Sequence, residues 1–425
     1  MGKRHVTPAP VSAPGRPSPW RTWLAIGATG FGGPAGQLAI LHREVVERHR
    51  WLDEDEFLAA TQVCMLLPGP EAQQLATYAG WRIGGLPGGI LAGTLFVLPG
   101  ALLVSGLAWL HAAGSAVPLV AAAFAGTRPA VVALVALATW RIGRRALTGP
   151  TAGLIALLAA LAFAAGAPLP VLVLLAAVWG WLAPTSLAPR TPVAGATPTP
   201  AARPRAADIR RGATIAIGFA AIWVLAYAAI CGLGSAGGRG PALAELFTRT
   251  TLLSFGGAYT VVPWALDEGV ARGWLGPVER ADALAAGEAT PGPLILVVTF
   301  IGFLAGWKSG AGDPAQAGLE GAAVATLFAF IPSFAMVLAV APCVRSIMIS
   351  IRPAAALTAV GAVVVAAIAG LALTLARDAF LPGGRLDPLA LAVAGGGLVA
   401  LIRFRTSSAL VVAVAAAIGS LRAFF

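Results

Sequence analysis

The chain has 425 residues, 58% of them hydrophobic and 11% charged, with a mean hydropathy of +0.83. Soluble domains carry about 25% charged residues, so composition excludes an ordinary soluble fold. The net charge of +11 does not point to nucleic acid, because the arginines sit at the ends of apolar stretches and in linkers and form no basic stripe with interleaved aromatics.

Residues 1–19 are Pro-rich and polar, and are expected to be a disordered cytoplasmic segment with no cleavable signal peptide. Apolar stretches follow at 20–41, 57–82, 86–110, 117–140, 150–165 and 168–183, and together with 212–233 make a first set of spans. Residues 184–211, rich in Pro, Ala, Thr and Arg, read as a disordered cytoplasmic linker, and 212–233 as a connecting span. The second half gives 243–266, 278–307, 319–341, 342–376, 388–402 and 408–421. The short pairs at 150–183 and 388–421 read as hairpins that cross by tilting. The expectation is an all-α polytopic membrane protein with about 13 transmembrane spans, with repeat 1 over 20–183 and repeat 2 over 243–425.

Arginine placement sets the orientation. Arg21, the trio Arg141, Arg144 and Arg145, and the linker arginines Arg190, Arg203, Arg205, Arg210 and Arg211 all fall inside by the positive-inside rule. That assignment requires 57–82 to cross fully despite its prolines, and it leaves the C-terminus periplasmic or extracellular.

The two halves repeat each other. Phe31-Gly32-Gly33 recurs as Phe255-Gly256-Gly257. From Trp51 it is 17 residues to Pro68-Gly69-Pro70, and from Trp274 the same 17 to Pro291-Gly292-Pro293. Leu98-Pro99 has a counterpart in Ile331-Pro332, and Arg128-Pro129-Ala130 in Arg352-Pro353-Ala354. The odd span between the halves reverses the second, which gives two inverted-topology repeats with helices broken at the PGP motifs. Paired broken helices in inverted repeats form the pattern of secondary transporters.

The breaks are the first candidates for chemistry. Proline removes a backbone donor, and groups freed at membrane depth need protein or water partners. A helix restarting after Pro70 or Pro293 presents free N–H groups and a positive dipole end, which favours an anion by about 0.3–2 kcal/mol. The alternative is a packing kink. The glycines of the two FGG motifs either permit close helix packing or local unwinding, and one helix approaching the other's break would serve both.

Charges within spans come next. Arg128 lies mid-span, where an arginine costs at least about 2.5–3.5 kcal/mol. It is either a bidentate ligand for a tetrahedral oxyanion or the ion-pair partner of Glu71 or Glu288. Arg352 is its repeat counterpart, placed mid-membrane by the repeat but near the cytoplasmic face by hydropathy. Arg249 can snorkel. Glu71 and Glu288 flank the breaks and are candidates for proton coupling or for neutralising arginine. Residues 42–56 read as a solvated loop and helix start. Cys64, Cys231 and Cys343 and the four histidines make no metal-ligand spacing, and neither a metal nor another cofactor is expected.

The motifs Phe31-Gly32-Gly33-Pro34, Leu66-Leu67-Pro68-Gly69-Pro70, Leu98-Pro99-Gly100, Ser254-Phe255-Gly256-Gly257 and Thr290-Pro291-Gly292-Pro293 resemble those of the chromate ion transporter family in its long two-repeat form. The likeness covers roughly residues 22–376. It implies a multi-pass protein of the bacterial inner membrane that exports chromate and confers resistance to it, driven by the proton motive force. Phe31, Gly32, Gly33, Pro68, Gly69, Pro70, Arg128, Phe255, Gly256, Gly257, Pro291, Gly292, Pro293 and Arg352 are then the candidate substrate ligands. The chain carries no GxxxxGK[ST] phosphate loop. Sulfate or another oxyanion, and a passive channel, remain open as alternatives. An embedded enzyme is disfavoured because the spans hold no nucleophile–His pair. The expected partners are the oxyanion, protons and lipid, with a homodimer left open and no nucleic acid.

Overall fold

The computed structural model describes residues 19–31, 33–187, 205–234, 236–346 and 351–424, and the described residues contain helices and no strand. Gly32, the segment before Pro19 and most of the expected linker lie outside the described residues.

The first half begins with α1 (Pro19–Thr29) and α2 (Gly33–His42), which runs on into a π-helical turn, Arg43–Arg48. Within the charged stretch 42–56, expected to be a solvated loop and helix start, residues 43–48 are therefore helical and not loop. Next, α3 (Glu54–Leu66) starts where the Asp53 carboxylate accepts the Glu56 N–H at 2.7 Å, with acidic residues filling the first turn as the helix dipole favours. It stops at Pro68. The chain restarts as α4 (Glu71–Gly114), which leaves helical geometry at Gly84 and Gly85, so that 71–83 and 86–114 are separate rods. After it come α5 (Pro118–Ala146), α6 (Pro150–Ala164), α7 (Leu169–Leu182) and the short α8 (Pro184–Leu187). The connecting helix is α9 (Ala206–Leu233). The second half repeats the order with α10 (Gly240–Leu252), α11 (Val262–Ala271), α12 (Glu279–Ala289), α13 (Val297–Trp307), α14 (Pro314–Val340), α15 (Ile351–Phe380), α16 (Pro388–Arg403) and α17 (Ser408–Arg422).

Among the described residues, five helices are long and apolar enough to cross a membrane: α4, α5, α9, α14 and α15. The other apolar helices have 10–17 residues. The expected full crossing at 57–82 does not form. Tyr78 donates to Glu56 at 2.7 Å, and Arg82 binds the same carboxylate. Along one continuous helix, residues 22 apart would lie about 33 Å from each other. The chain therefore doubles back at Pro68-Gly69-Pro70. It does so again at Pro291-Gly292-Pro293, where Lys308 of the returning strand of chain binds Glu279.

The FGG motifs are turning points too. The rings of Trp23 and Trp51, on either side of the first, lie 5.2 Å apart. Before the second, Arg239 donates to the carbonyls of Ala305 and Lys308 at 2.8 and 3.1 Å, beside the Glu279 carboxylate that also accepts the Gly276 N–H. The segments expected as spans at 20–41, 57–82, 243–266 and 278–307 are thus pairs of half-length helices folded on themselves. A returning limb packs against the long helix that follows it. A Cβ on Gly80 would meet the Gly88 carbonyl at 2.4 Å, and one on Gly306 the Ala317 carbonyl at 1.9 Å. The large side chains Trp23, Tyr78, Phe96, Phe300 and Phe328 are fully buried among these limbs. Leucines of α6, α7 and α9 face outward, as a hydrocarbon solvent permits.

Candidate functional site

The four turning points meet in two junctions, each made by both repeats. In one, the Gly69 N–H donates to the Ser254 carbonyl at 3.0 Å. In the other, the Gly292 N–H donates to the Gly30 carbonyl at 3.1 Å. Each PGP tip is therefore hydrogen-bonded to the residue just before the opposite FGG motif. Gly69 and Gly292 have φ of +121° and +102°, a region L side chains rarely enter. The proline on each side removes donors that the tip could not satisfy. The matched long helices complete the seats. A Cβ on Gly100, next to Pro99, would lie 2.1 Å from the Pro291 carbonyl, and one on Gly69 would lie 2.8 Å from the Ser333 hydroxyl, next to Pro332. The sequence landmarks Leu98-Pro99 and Ile331-Pro332 are thus the places where each long helix receives the other repeat's tip.

The first junction is polar. Gln74 donates to the Pro68 carbonyl at 2.7 Å. Ser333 donates to Gln73, whose amide donates to Thr77, at 2.7 and 2.9 Å. The Gln74 carbonyl oxygen is buried without a partner among the described residues. The first intrahelical bond of the restarted α4 runs from Gln74 to the Pro70 carbonyl, so the N–H groups of residues 71–73 have no helical acceptor. Glu71 stands at this helix start, beside Gly257, where an added Cβ would lie 3.4 Å from its carboxylate. No hydrogen bond or ion pair holds Glu71 among the described residues.

The second junction is more apolar. Leu294, Ile295 and Leu296 follow its break and are buried. Its polar group is Gln37, which donates to the carbonyls of Gly292 and Gly30. Glu288 is bound by the Tyr259 hydroxyl, and its backbone carbonyl accepts from Ser408 at 2.9 Å. Both candidate carboxylates thus border the second FGG turn, Glu71 near Gly257 and Glu288 bound by Tyr259. Phe31 is 36% exposed, and Gly33 and Gly256, both with positive φ, border open space.

Arg128 is not at either tip. It forms a fork-to-fork pair with Asp282, Nε to Oδ1 at 3.0 Å and Nη2 to Oδ2 at 3.1 Å. The expected ion-pair partner was Glu71 or Glu288, and the structure corrects this to Asp282. Eight residues of helix separate Asp282 from Thr290, about 12 Å. Asp282 is fully buried, and His111 sits 3.8 Å from its Oδ2, the oxygen that also accepts from Arg128 Nη2, and 3.5 Å from Glu279. Arg128, Asp282, His111, Glu279 and Lys308 thereby tie α4, α5, α12 and α13 together. Arg352 is exposed near the start of α15, and Arg249 pairs with Glu245 on its own helix.

Sequence reasoning passed over Asp282, Tyr259, Gln37 and Ser333. Asp282 was visible as an acid within the alanine-rich run ADALAAGEA, and Tyr259 and Gln37 as polar residues a few positions after each FGG. Among the described residues no group of three His, Cys, Asp or Glu side chains could hold a metal ion.

Interrupted helices from two repeats, meeting inside a bundle of membrane-length helices, define an integral membrane protein of the transporter class. Comparison with protein families matches residues 19–181 and 241–420 to the chromate transporter family, and the chain belongs to it. A chromate transport protein of Pseudomonas aeruginosa is 32% identical over 339 residues, 78% of this chain and 73% of that one. A probable chromate transport protein of Synechococcus elongatus is 27% identical over 338 residues, 75% of this chain and 74% of its own. The chromate transport protein of Cupriavidus metallidurans is 27% identical over 328 residues, covering 75% and 72%. No solved structure matches the chain. The family is one of transporters and not of enzymes.

Proposed function

We propose that this protein is a secondary active transporter that exports chromate, or a related tetrahedral dianion, from a bacterial cytoplasm across the inner membrane. The observation that carries this reading is the reciprocal pair of tip hydrogen bonds, Gly69 to Ser254 and Gly292 to Gly30. A site held jointly by two repeats changes its exposure when one repeat moves against the other.

The two repeats are proposed to enter the membrane from opposite faces. Glu56, Arg82 and Arg141 to Arg145 would lie on the cytoplasmic face with the linker. Glu279, Lys308 and His111 would lie on the other. Five crossings then separate the N-terminus from the C-terminus, and the arginine-rich ends remain inside, in keeping with the positive-inside rule.

The anion is proposed to bind at the start of α4, against its free N–H groups and the Ser254–Gly257 loop. Pro68, Gly69, Pro70, Phe255, Gly256 and Gly257 form this cradle. Glu71 occupies the position that the helix dipole favours for negative charge, so an ionised Glu71 competes with a dianion. A proton on Glu71 removes that competition and links proton occupancy to anion occupancy. Glu288, held by Tyr259, is the second proton-coupling candidate. Outward movement of two negative charges is favoured by about 2.3 kcal/mol per charge at roughly 100 mV, interior negative, so the membrane potential draws the anion out.

The test is uptake of radiolabelled chromate and sulfate into everted vesicles. Uptake that falls on addition of a protonophore, and that loses its response to an imposed pH gradient in Glu71→Gln, is expected. Flux that follows the anion gradient alone, in wild type, would replace the transporter by a passive channel.

A further inference from the structure

A second basic site lies apart from the tip junctions. Between α1 and the α2–π-helix segment is a cavity of about 220 Å³, lined by Arg21, Thr22, Ala25, Ile26 and Thr29 on one side and Ile40, Arg43, Glu44, Arg48 and His49 on the other. Liquid water takes about 30 Å³ per molecule, so the space admits a tetrahedral oxyanion with part of its hydration. Three guanidinium groups face one carboxylate, which leaves an excess of two positive charges without counting His49.

The wall is ordered by Glu44. Its two oxygens take the Arg43 Nε at 3.3 Å and the Arg48 Nη1 at 3.2 Å, and its side chain is 10% exposed while those of Arg43 and Arg48 are 63% and 67% exposed. Each guanidinium has five N–H donors, so both keep most of theirs for a ligand. Arg21, on the facing helix, lies over the Trp20 ring at 5.4 Å and makes no ion pair among the described residues. The segment carrying Arg43 and Arg48 is a π-helical turn, a form that occurs frequently at functional sites. Thr29, a lining residue, immediately precedes Gly30, the acceptor for the Gly292 tip.

We propose that this cavity is a second anion site, separate from the start of α4, that binds a divalent tetrahedral oxyanion before it reaches the transport site. The chemistry recognised is a compact dianion with oxygen acceptors at tetrahedral angles, which suits arginine forks. A free oxyanion and the phosphate of an anionic lipid both have it, and the cavity's use in feeding the transport site rests on the transport function proposed above.

The experiment uses the purified full-length protein. Sulfate and chromate binding is measured by calorimetry, and chromate KM and Vmax in proteoliposomes made with and without phosphatidylglycerol. The variants are Arg21→Ala/Arg48→Ala, Arg48→Lys and Glu44→Gln. The double variant should weaken anion binding and raise KM about tenfold or more, the loss expected for charge-assisted hydrogen bonds, with Vmax retained. Arg48→Lys should recover part of that loss. Glu44→Gln removes a negative charge from the wall and should tighten binding, whereas a purely structural role would make it weaken binding like the others. If KM and sulfate binding stay fixed but the response to phosphatidylglycerol disappears in the double variant, the bound oxyanion is a lipid phosphate and the recognition chemistry stands. Unchanged sulfate binding, KM and lipid response together would overturn the proposal. Arg21 and Arg48 are exposed, so their truncation opens no core, and an unaltered Tm verifies this. A wild type that binds sulfate but moves no chromate would count against the transport function and leave the site intact.

Discussion

At the scale of single residues, Arg128 forms an ion pair, one of the two alternatives its position left open, but with Asp282 and not with Glu71. The mid-span arginine is saturated by a fully buried carboxylate, whereas the glutamate beside the break has no partner among the described residues. Removing one member of a buried pair costs about 3–5 kcal/mol because the other is left uncompensated. Arg128→Ala should therefore lower the Tm of the purified protein sharply, and Arg128→Met/Asp282→Leu should restore most of it. An Arg128→Ala protein with wild-type Tm and no chromate binding would instead make Arg128 a substrate ligand. For Glu71, the neutral isostere mimics the protonated acid. Glu71→Gln should keep chromate flux driven by membrane potential and lose its response to a pH gradient imposed at clamped potential. A retained response would move the proton to Glu288 or elsewhere.

Among the elements, the half-length limbs depend on how closely a tip can approach the opposing long helix. Gly100 lets the Pro291 carbonyl come within a distance that no side chain tolerates, while Gly106, two turns further along the same helix, borders open space. Gly100→Ala should cost at least the roughly 1–3 kcal/mol typical of overpacking and abolish transport. Gly106→Ala should be neutral or gain up to about 1 kcal/mol from helix propensity. Thermal melts of both variants check this, and equal behaviour would mean that the tip does not seat on α4. The clamps Glu56–Arg82 and Glu279–Lys308 act at the opposite ends of the limbs, holding each hairpin shut where it meets the surface.

At the scale of the whole molecule, the described residues contain five membrane-length helices, of which α4, α5 and α9 lie in the chain between the first and second sets of folded limbs. With the three native cysteines replaced, Thr148→Cys and Ala311→Cys, both at exposed positions, should react with a membrane-impermeant maleimide from opposite sides. Thr148→Cys is expected to label in everted vesicles and Ala311→Cys in intact cells. Labelling of both from one side would sink the opposed arrangement of the repeats.

Much of this was legible in the chain itself. Hydropathy and the scarcity of charge determine a helical membrane protein, since lipid offers no partner for unsatisfied backbone. The doubled FGG and PGP motifs mark the four turning points, because glycine and proline are local and readable. The path between those points was not. An apolar run such as 57–82 has the same composition whether it crosses once or enters and returns as two short limbs. Only contacts distant in sequence distinguish them: Tyr78 and Arg82 on Glu56 at the limb ends, Gly69 on Ser254 at the tip. The partner of Arg128 was hidden for the same reason. Its pairing with Asp282 spans 154 residues, and a buried charge announces in sequence only that it needs a counter-ion, while the packing of α12 against α5 decides which one it receives.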